Sequence, residues 1–236
     1  GVLASGMAHE IKNPLAGIKA MAQSLQEEFV DGDDRKVYLD RIVRQVNRLD
    51  ELLKAFFDYA RPRPPTRKLH RVQDIVNEVL NLVDKKLQEK KIWWSTAFDP
   101  NTPPVYVDFH QIQQVILNLI FNAVDATDDG GKLLISAGPF KAGGKGYAHI
   151  HPERPGKTEK SDYVEVIVQD SGQGINPENL ENIFDPFFTT KSQGTGLGLA
   201  IVYRIITAHG GEITVSSIPD RGTAFKFLLP TEEVSE

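Results

Sequence analysis

Three prolines within four positions, in Arg61-Pro62-Arg63-Pro64-Pro65, divide this chain into parts that cannot share a helix. Proline lacks a backbone N–H and pushes the residue before it out of the helical region, so no regular helix crosses the run. Residues 62–66 therefore read as a linker between a first domain over 1–61 and a second over 67–236. A length of 236 residues at 40% hydrophobic content suffices for one large or two modest domains, and the linker selects two.

The two sides differ in period. Ahead of the prolines, Ala4, Met7, Ile11, Pro14, Ile18, Met21 and Leu25 recur in steps of three and four, as do Tyr38, Ile42, Gln45, Leu49, Leu52, Phe56 and Tyr59. That rhythm predicts two amphipathic helices. Asp31, Gly32, Asp33 and Asp34 lie between them, and Asp33 or Asp34 is placed to cap the second helix of an antiparallel hairpin. Each helix also carries flanking apolar residues (Ala8, Leu15, Ala22; Leu39, Val43, Val46, Leu53), more than one hairpin can cover. Two hairpins joined as a homodimeric four-helix bundle would bury both stripes.

Beyond the prolines the pattern is mixed. Helices are expected over about 72–91, 108–127 and 197–209, and strands near 92–98, 105–107, 132–138, 163–169, 211–217 and 223–229. Strands and helices without regular alternation favour a helix-layered, mostly antiparallel sheet. The Gly-, Pro- and Lys-rich segment 138–161 has no period and reads as a surface insertion. Its His149 and His151 have no third ligand nearby, so they read as loop residues rather than a metal site.

Composition removes several classes of function. A net charge of −5 and a pI near 5.7 give no electrostatic footprint for nucleic acid or an anionic membrane. The chain has no cysteine, which excludes disulfides and thiolate chemistry and fits a reducing, cytoplasmic setting. No stretch reaches the roughly 18–20 apolar residues of a membrane helix. The chain opens on Gly1, eight residues before His9, and is expected to continue upstream into a sensor region that this sequence lacks.

On the first heptad, Ala4 and Ile11 take position a and Met7 takes d, which puts His9 at f, farthest from the seam, and Glu10 at g. Asn13, four residues on, lies about 40° round the helix, on the same stripe as His9. An imidazole ordinarily titrates near about pH 6.5, so it is largely neutral and nucleophilic at pH 7, and Glu10 is placed to hold its other proton. A surface histidine without chemistry is the competing reading. Zinc binding by a His-Glu-x-x-His pattern fails because Asn13 stands where the second histidine belongs. Pro14 is expected to kink the helix beside His9.

In the second domain Asn118 and Asn122 sit one turn apart on an otherwise apolar helix. Buried amides need partners, either neighbouring backbone or a hydrated Mg²⁺ with nucleotide phosphates. Asp170-Ser171-Gly172-Gln173-Gly174 ends a strand, and its carboxylate is either a turn former or an acceptor for an exocyclic amine. Gly194-Thr195-Gly196-Leu197-Gly198 opens a helix, whose uncapped N–H groups and dipole suit phosphate. The dinucleotide fingerprint does not fit, since Leu199 replaces its third glycine. The P-loop fails as well, because Gly146 follows Lys145 and Pro139 replaces the leading glycine.

Taken in order, these segments resemble the transmitter of bacterial two-component sensor histidine kinases. The H box is His9 to Pro14 and the N box ends in Asn122-Ala123. A G1 box spans Asp170 to Gly174, an F box Phe184 to Lys191, and a G2 box Gly194 to Leu199. The wording is most similar to the NtrB-like branch. The resemblance implies a dimerisation and phosphotransfer hairpin followed by an α/β sandwich of the Bergerat ATP-binding fold, with ATP and Mg²⁺ as cofactors and a response regulator receiver domain as partner. It makes His9 the phosphoacceptor, Glu10 its acid/base partner and Asn122 the Mg²⁺ ligand, with Asn118 in support. Asp170, Gly172, Gly174 and Thr223 fall on the adenine side. Lys191, Gly194, Thr195, Gly196, Leu197 and Gly198 fall at the phosphates on a mobile lid.

Related ATPases of the gyrase and MutL type resemble one another in a Glu, one turn before the metal-binding Asn, that activates water. Here Asn118 holds that position. A site without this base should spare ATP from water and deliver its phosphate to His9. Bifunctional kinases resembling this one carry the His-Glu-x-x-Asn pattern, which makes Asn13 a phosphatase residue. A binding-only pseudokinase would show a broken box, and none is broken. Membrane anchoring of the longer parent protein is left open, as is phosphorylation within or between subunits.

Overall fold

The computed structural model describes residues 2–30, 33–60, 63–140, 163–191 and 194–232. It divides into two compact units, Gly1–Pro62 and Arg63–Glu236. Most of the expected insertion, with His149 and His151, lies outside the described residues.

The first unit is a pair of helices, α1 (Val2–Glu28) and α2 (Arg35–Ala60), packed against each other. Pro14 lies inside α1 without ending it. At the turn, Asp33 Oδ1 accepts the Arg35 backbone N–H at 2.9 Å, satisfying an unpaired donor of α2. The Arg35 guanidinium lies over the Phe29 ring at 4.2 Å. The two apolar stripes separate. The flanking residues Ala22 and Val46 are buried between the helices, with Leu15, Leu39, Val43 and Leu53 half-buried. The heptad residues Ile11, Ile18, Met21, Leu25, Tyr38, Ile42, Leu49 and Phe56 face outward. One hairpin therefore closes on the flanking stripe and leaves the seam uncovered.

The second unit is an α/β sandwich. Its five-stranded sheet has the order β2 (Trp93–Phe98), β4 (Lys132–Pro139), β5 (Tyr163–Asp170), β7 (Gly222–Pro230), β6 (Ile213–Ile218). Only the β2–β4 pair is parallel. Buried residues alternate along β4 and β5, giving one core face made by Leu133, Ile135, Val164, Val166 and Val168. Against the sheet lie α3 (Val72–Glu89), α4 (Phe109–Ala126) and α5 (Gly198–Ala208). β4 runs through Pro139 in register with Val164, so the insertion begins later than position 138.

A second, two-stranded sheet pairs β1 (Lys68–His70) with β3 (Val105–Val107). β1 leaves no signal in the sequence, since its three residues are too few to show a period. Residues read as linker are fastened to this unit. Gln111 Nε2 donates to the Arg63 carbonyl at 3.0 Å, and the Thr66 N–H donates to Asp108 Oδ2 at 2.8 Å. Arg67 Nη2 donates to the Ala208 carbonyl at 2.6 Å.

Helix α4 is fixed at both ends. Asp108 Oδ1 accepts the Gln111 N–H at 3.1 Å as its N-cap, and Lys90 Nζ donates to the Val124 and Thr127 carbonyls at 2.8 and 3.3 Å. Ile112, Val115, Ile116, Leu119 and Ile120 fill the core, so the remaining face presents Asn118, Asn122 and Asp125 in fixed register.

Candidate functional site

A cavity of about 300 Å³ opens in the second unit where α4, the end of β5, the start of β7 and the segment leading into α5 converge. Asn122 and Asp170 line it, with Gly174 and Thr223 beyond them and Lys191 across from Asn122. Gly194, Thr195, Gly196 and Gly198 complete the wall. Sequence positions up to 103 residues apart, Asn122 and Phe225, thus meet in one cavity.

Asp170 is only 7% exposed. Its Oδ1 accepts two backbone N–H groups, from Gly172 at 2.8 Å and Thr223 at 3.2 Å. Burial pushes its pKa up from the ordinary aspartate value, opposed by these two N–H groups and by the charge of Lys191. Gly172 thus supports the aspartate, and a side chain there would strike the Ala126 carbonyl. Gly174 has φ +72°, and a Cβ would collide with the backbone of Ile218, so a left-handed turn and a close chain approach both call for glycine.

The segment before α5 is a tight glycine-containing turn that could take an anion. Gly196 has φ +68° and accepts the Phe187 N–H at 2.9 Å. Thr195 Oγ1 accepts the Leu197 N–H at 3.3 Å. Leu197, the N-cap of α5, makes no side-chain cap hydrogen bond, so among the described residues the first-turn N–H groups and positive dipole end stay open to a ligand. A Cβ on Gly198 would meet nothing within 4 Å, so open space lies beside that backbone.

Three predicted residues do not line the cavity itself. Asn118 does not line the cavity; its Nδ2 donates to the Gly198 carbonyl at 3.3 Å and ties α4 to the first turn of α5. Leu197 is fully buried and serves the core. Gly172 supports Asp170, as above.

Asn122 Oδ1 and Asp125 Oδ2 both accept from Lys191 Nζ, at 3.3 and 3.1 Å. Among the described residues no group of three or more His, Asp or Glu side chains forms a ready-made metal cage. A cation here would take the Asn122 carbonyl oxygen and oxygens of a bound ligand, the sparse coordination that suits Mg²⁺.

Asp125 also lines the cavity, unforeseen although it follows Asn122 by one helical turn, a spacing visible in the sequence. An apolar wall of Ile175, Ile183 and Phe225, scattered along the chain, was not foreseen, whereas Phe188 beside them falls in the F box. His9, Glu10 and Asn13 all belong to α1 in the first unit. Asn13 is exposed; the side chains of His9 and Glu10 lie outside the described residues. No helix of the described residues is long and apolar enough to cross a membrane.

The chain belongs to the sensor histidine kinase family. Residues 107–233 match the family model described as histidine kinase-, DNA gyrase B- and HSP90-like ATPase, and residues 1–65 match that of the His Kinase A (phospho-acceptor) domain. The sensor histidine kinase ZraS of Salmonella typhi is 34% identical over 230 residues, covering 98% of this chain and 45% of ZraS. The sensory histidine kinase/phosphatase NtrB of Rhizobium meliloti is 38% identical over 242 residues, covering 98% of this chain and 58% of NtrB. The chain spans about half the length of these relatives. The crystal structure of histidine kinase ThkA in complex with response regulator protein TrrA is similar with a TM-score of 0.66 at 28% identity, covering 98% of this chain and 62% of that one.

Proposed function

We propose that this chain is the catalytic core of a sensor kinase that transfers the γ-phosphoryl group of ATP to His9 and then to an aspartate of a response regulator receiver domain. The observation that carries the reading is that a glycine-rich helix start, the buried Asp170 and the half-buried amide of Asn122 line one cavity in a chain whose first helix bears His9. Asp170 would accept the exocyclic amine of adenine through its second oxygen, with Thr223 nearby, while Ile175, Ile183 and Phe225 pack on the ring. The uncapped first turn of α5 and Lys191 would hold the phosphates.

Mg²⁺, held by Asn122, would supply neutralisation of charge on the phosphate oxygens. His9 would attack through Nε2 while Glu10 holds the Nδ1 proton and stabilises the imidazolium. Two hairpins paired along the uncovered heptad seam would form the dimer.

Asn118 supports kinase over hydrolase. An amide bonded to the Gly198 carbonyl cannot take a proton from water, so nothing at that position activates water against the γ-phosphate. Incubation with γ-labelled ATP and Mg²⁺ tests this: label should collect on the protein and be lost in Asn122→Ala. Rapid release of free phosphate without protein label would instead indicate an ATPase.

A further inference from the structure

Asp125 belongs to none of the motifs, yet its carboxylate gathers two cations. Lys191 Nζ lies 3.1 Å from Oδ2, and Lys86 Nζ of α3 lies 3.8 Å from Oδ1. Lys86 also sits 4.6 Å from the centre of the Phe121 ring, on the α3 side of α4. Lys191 is the lysine that lines the cavity, and it donates to Asn122 Oδ1 at 3.3 Å as well.

That arrangement sets up a competition. An ammonium and a hard divalent cation repel at such distances, so Lys191 and a metal ion exclude each other at Asn122 Oδ1. The lysine then has two anionic partners within reach of its flexible stem: the Asp125 carboxylate and the oxygens of a phosphate chain. It can serve only one of them fully. Lys191 and Asp125 are 37% and 45% exposed, a setting in which an ion pair is weak enough to exchange partners.

We propose that Asp125 is a positioning residue that withholds Lys191 from the phosphate chain, so that nucleotide binding must break the Lys191–Asp125 pair. This rests on the reading of the cavity as an ATP site. Asp125 thereby lowers affinity for polyphosphate nucleotides, through Lys191, and leaves affinity for the nucleoside untouched.

The test is calorimetric titration of the whole chain with the non-hydrolysable analogue AMPPNP and Mg²⁺, and with adenosine. Asp125→Asn should tighten AMPPNP binding about threefold, the size expected of a partly exposed ion pair, without changing adenosine binding. Asp125→Glu should restore the wild-type value. In a Lys191→Met background, Asp125→Asn should have no effect. Unchanged affinity in Asp125→Asn overturns the proposal, as does a gain that persists undiminished with Lys191→Met, which would mean direct repulsion between carboxylate and phosphate. Failure of the wild-type chain to bind AMPPNP would overturn the ATP reading and this proposal with it.

Discussion

The Nε2 of His209 accepts the backbone N–H of Asp108 at 3.0 Å, while its Nδ1 lies 2.8 Å from the Ile205 carbonyl. A ring that accepts on one nitrogen and donates from the other must be neutral. His209 is 1% exposed, and burial pushes its pKa below the ordinary histidine value; the Ile205 carbonyl opposes this, Arg67 adds to it, and Asp108 opposes it. The unfolded chain therefore binds this proton at a higher pH than the folded one does, and stability falls as pH drops below about 6.5. We expect the urea midpoint of the second unit to decrease between pH 7.5 and 5.5. The decrease should be smaller in His209→Gln; equal decreases in both would show that His209 does not govern it.

Replacing Asp170 separates binding from folding. Asp170→Asn keeps an oxygen for the Gly172 and Thr223 N–H groups but turns an acceptor toward the ligand into a donor or weak acceptor. Binding of AMPPNP should weaken at least about tenfold, equivalent to about 1.4 kcal/mol, with little change in thermal midpoint. Asp170→Ala leaves two buried N–H groups without partners and should also cost about 2 kcal/mol of stability. Calorimetry and thermal denaturation check the two effects separately.

Much of this was legible in the sequence because the signals were local. The proline run marked the change of fold, the heptad rhythm marked α1 and α2, and the glycines at 194, 196 and 198 marked the start of α5. What stayed hidden depended on distance in sequence. The sequence left open whether Asn118 bonds backbone or ligand, because its bond to the Gly198 carbonyl spans 80 residues and is set by how α4 meets α5. Leu197 lies within the glycine-rich run, and its side chain is fully buried, which the glycines on either side do not reveal. The heptad rhythm identified an apolar seam without saying that the flanking stripe, rather than the seam, closes the hairpin.

The uncovered seam predicts the assembly. Light scattering should give a dimer at micromolar concentration, and Ile18→Glu combined with Ile42→Glu should give a monomer in which the second unit still binds AMPPNP. Both residues are 42% exposed in the single chain, so the charges cost the isolated hairpin little and would be buried only at a subunit interface. A wild-type monomer, or a dimer indifferent to both charges, would refute the bundle.

Asn13 is exposed, one turn from His9 on α1. An amide there can orient water toward a phosphoaspartate docked at the same stripe. Asn13→Ala should largely spare labelling of His9 but slow dephosphorylation of a phosphorylated receiver domain at least about tenfold, about 1.4 kcal/mol of transition-state stabilisation. Unchanged dephosphorylation with lost labelling would mean that Asn13 orients His9 instead.

The most direct measurement is the chemistry of the label itself. The whole chain and its His9→Gln variant are incubated with γ-labelled ATP and Mg²⁺, and the products are treated with acid and with alkali. A phosphoryl group on imidazole nitrogen is lost in acid and survives alkali. We predict such a label on the wild-type chain and none on His9→Gln; an acid-stable label, or one that persists in His9→Gln, would contradict the account.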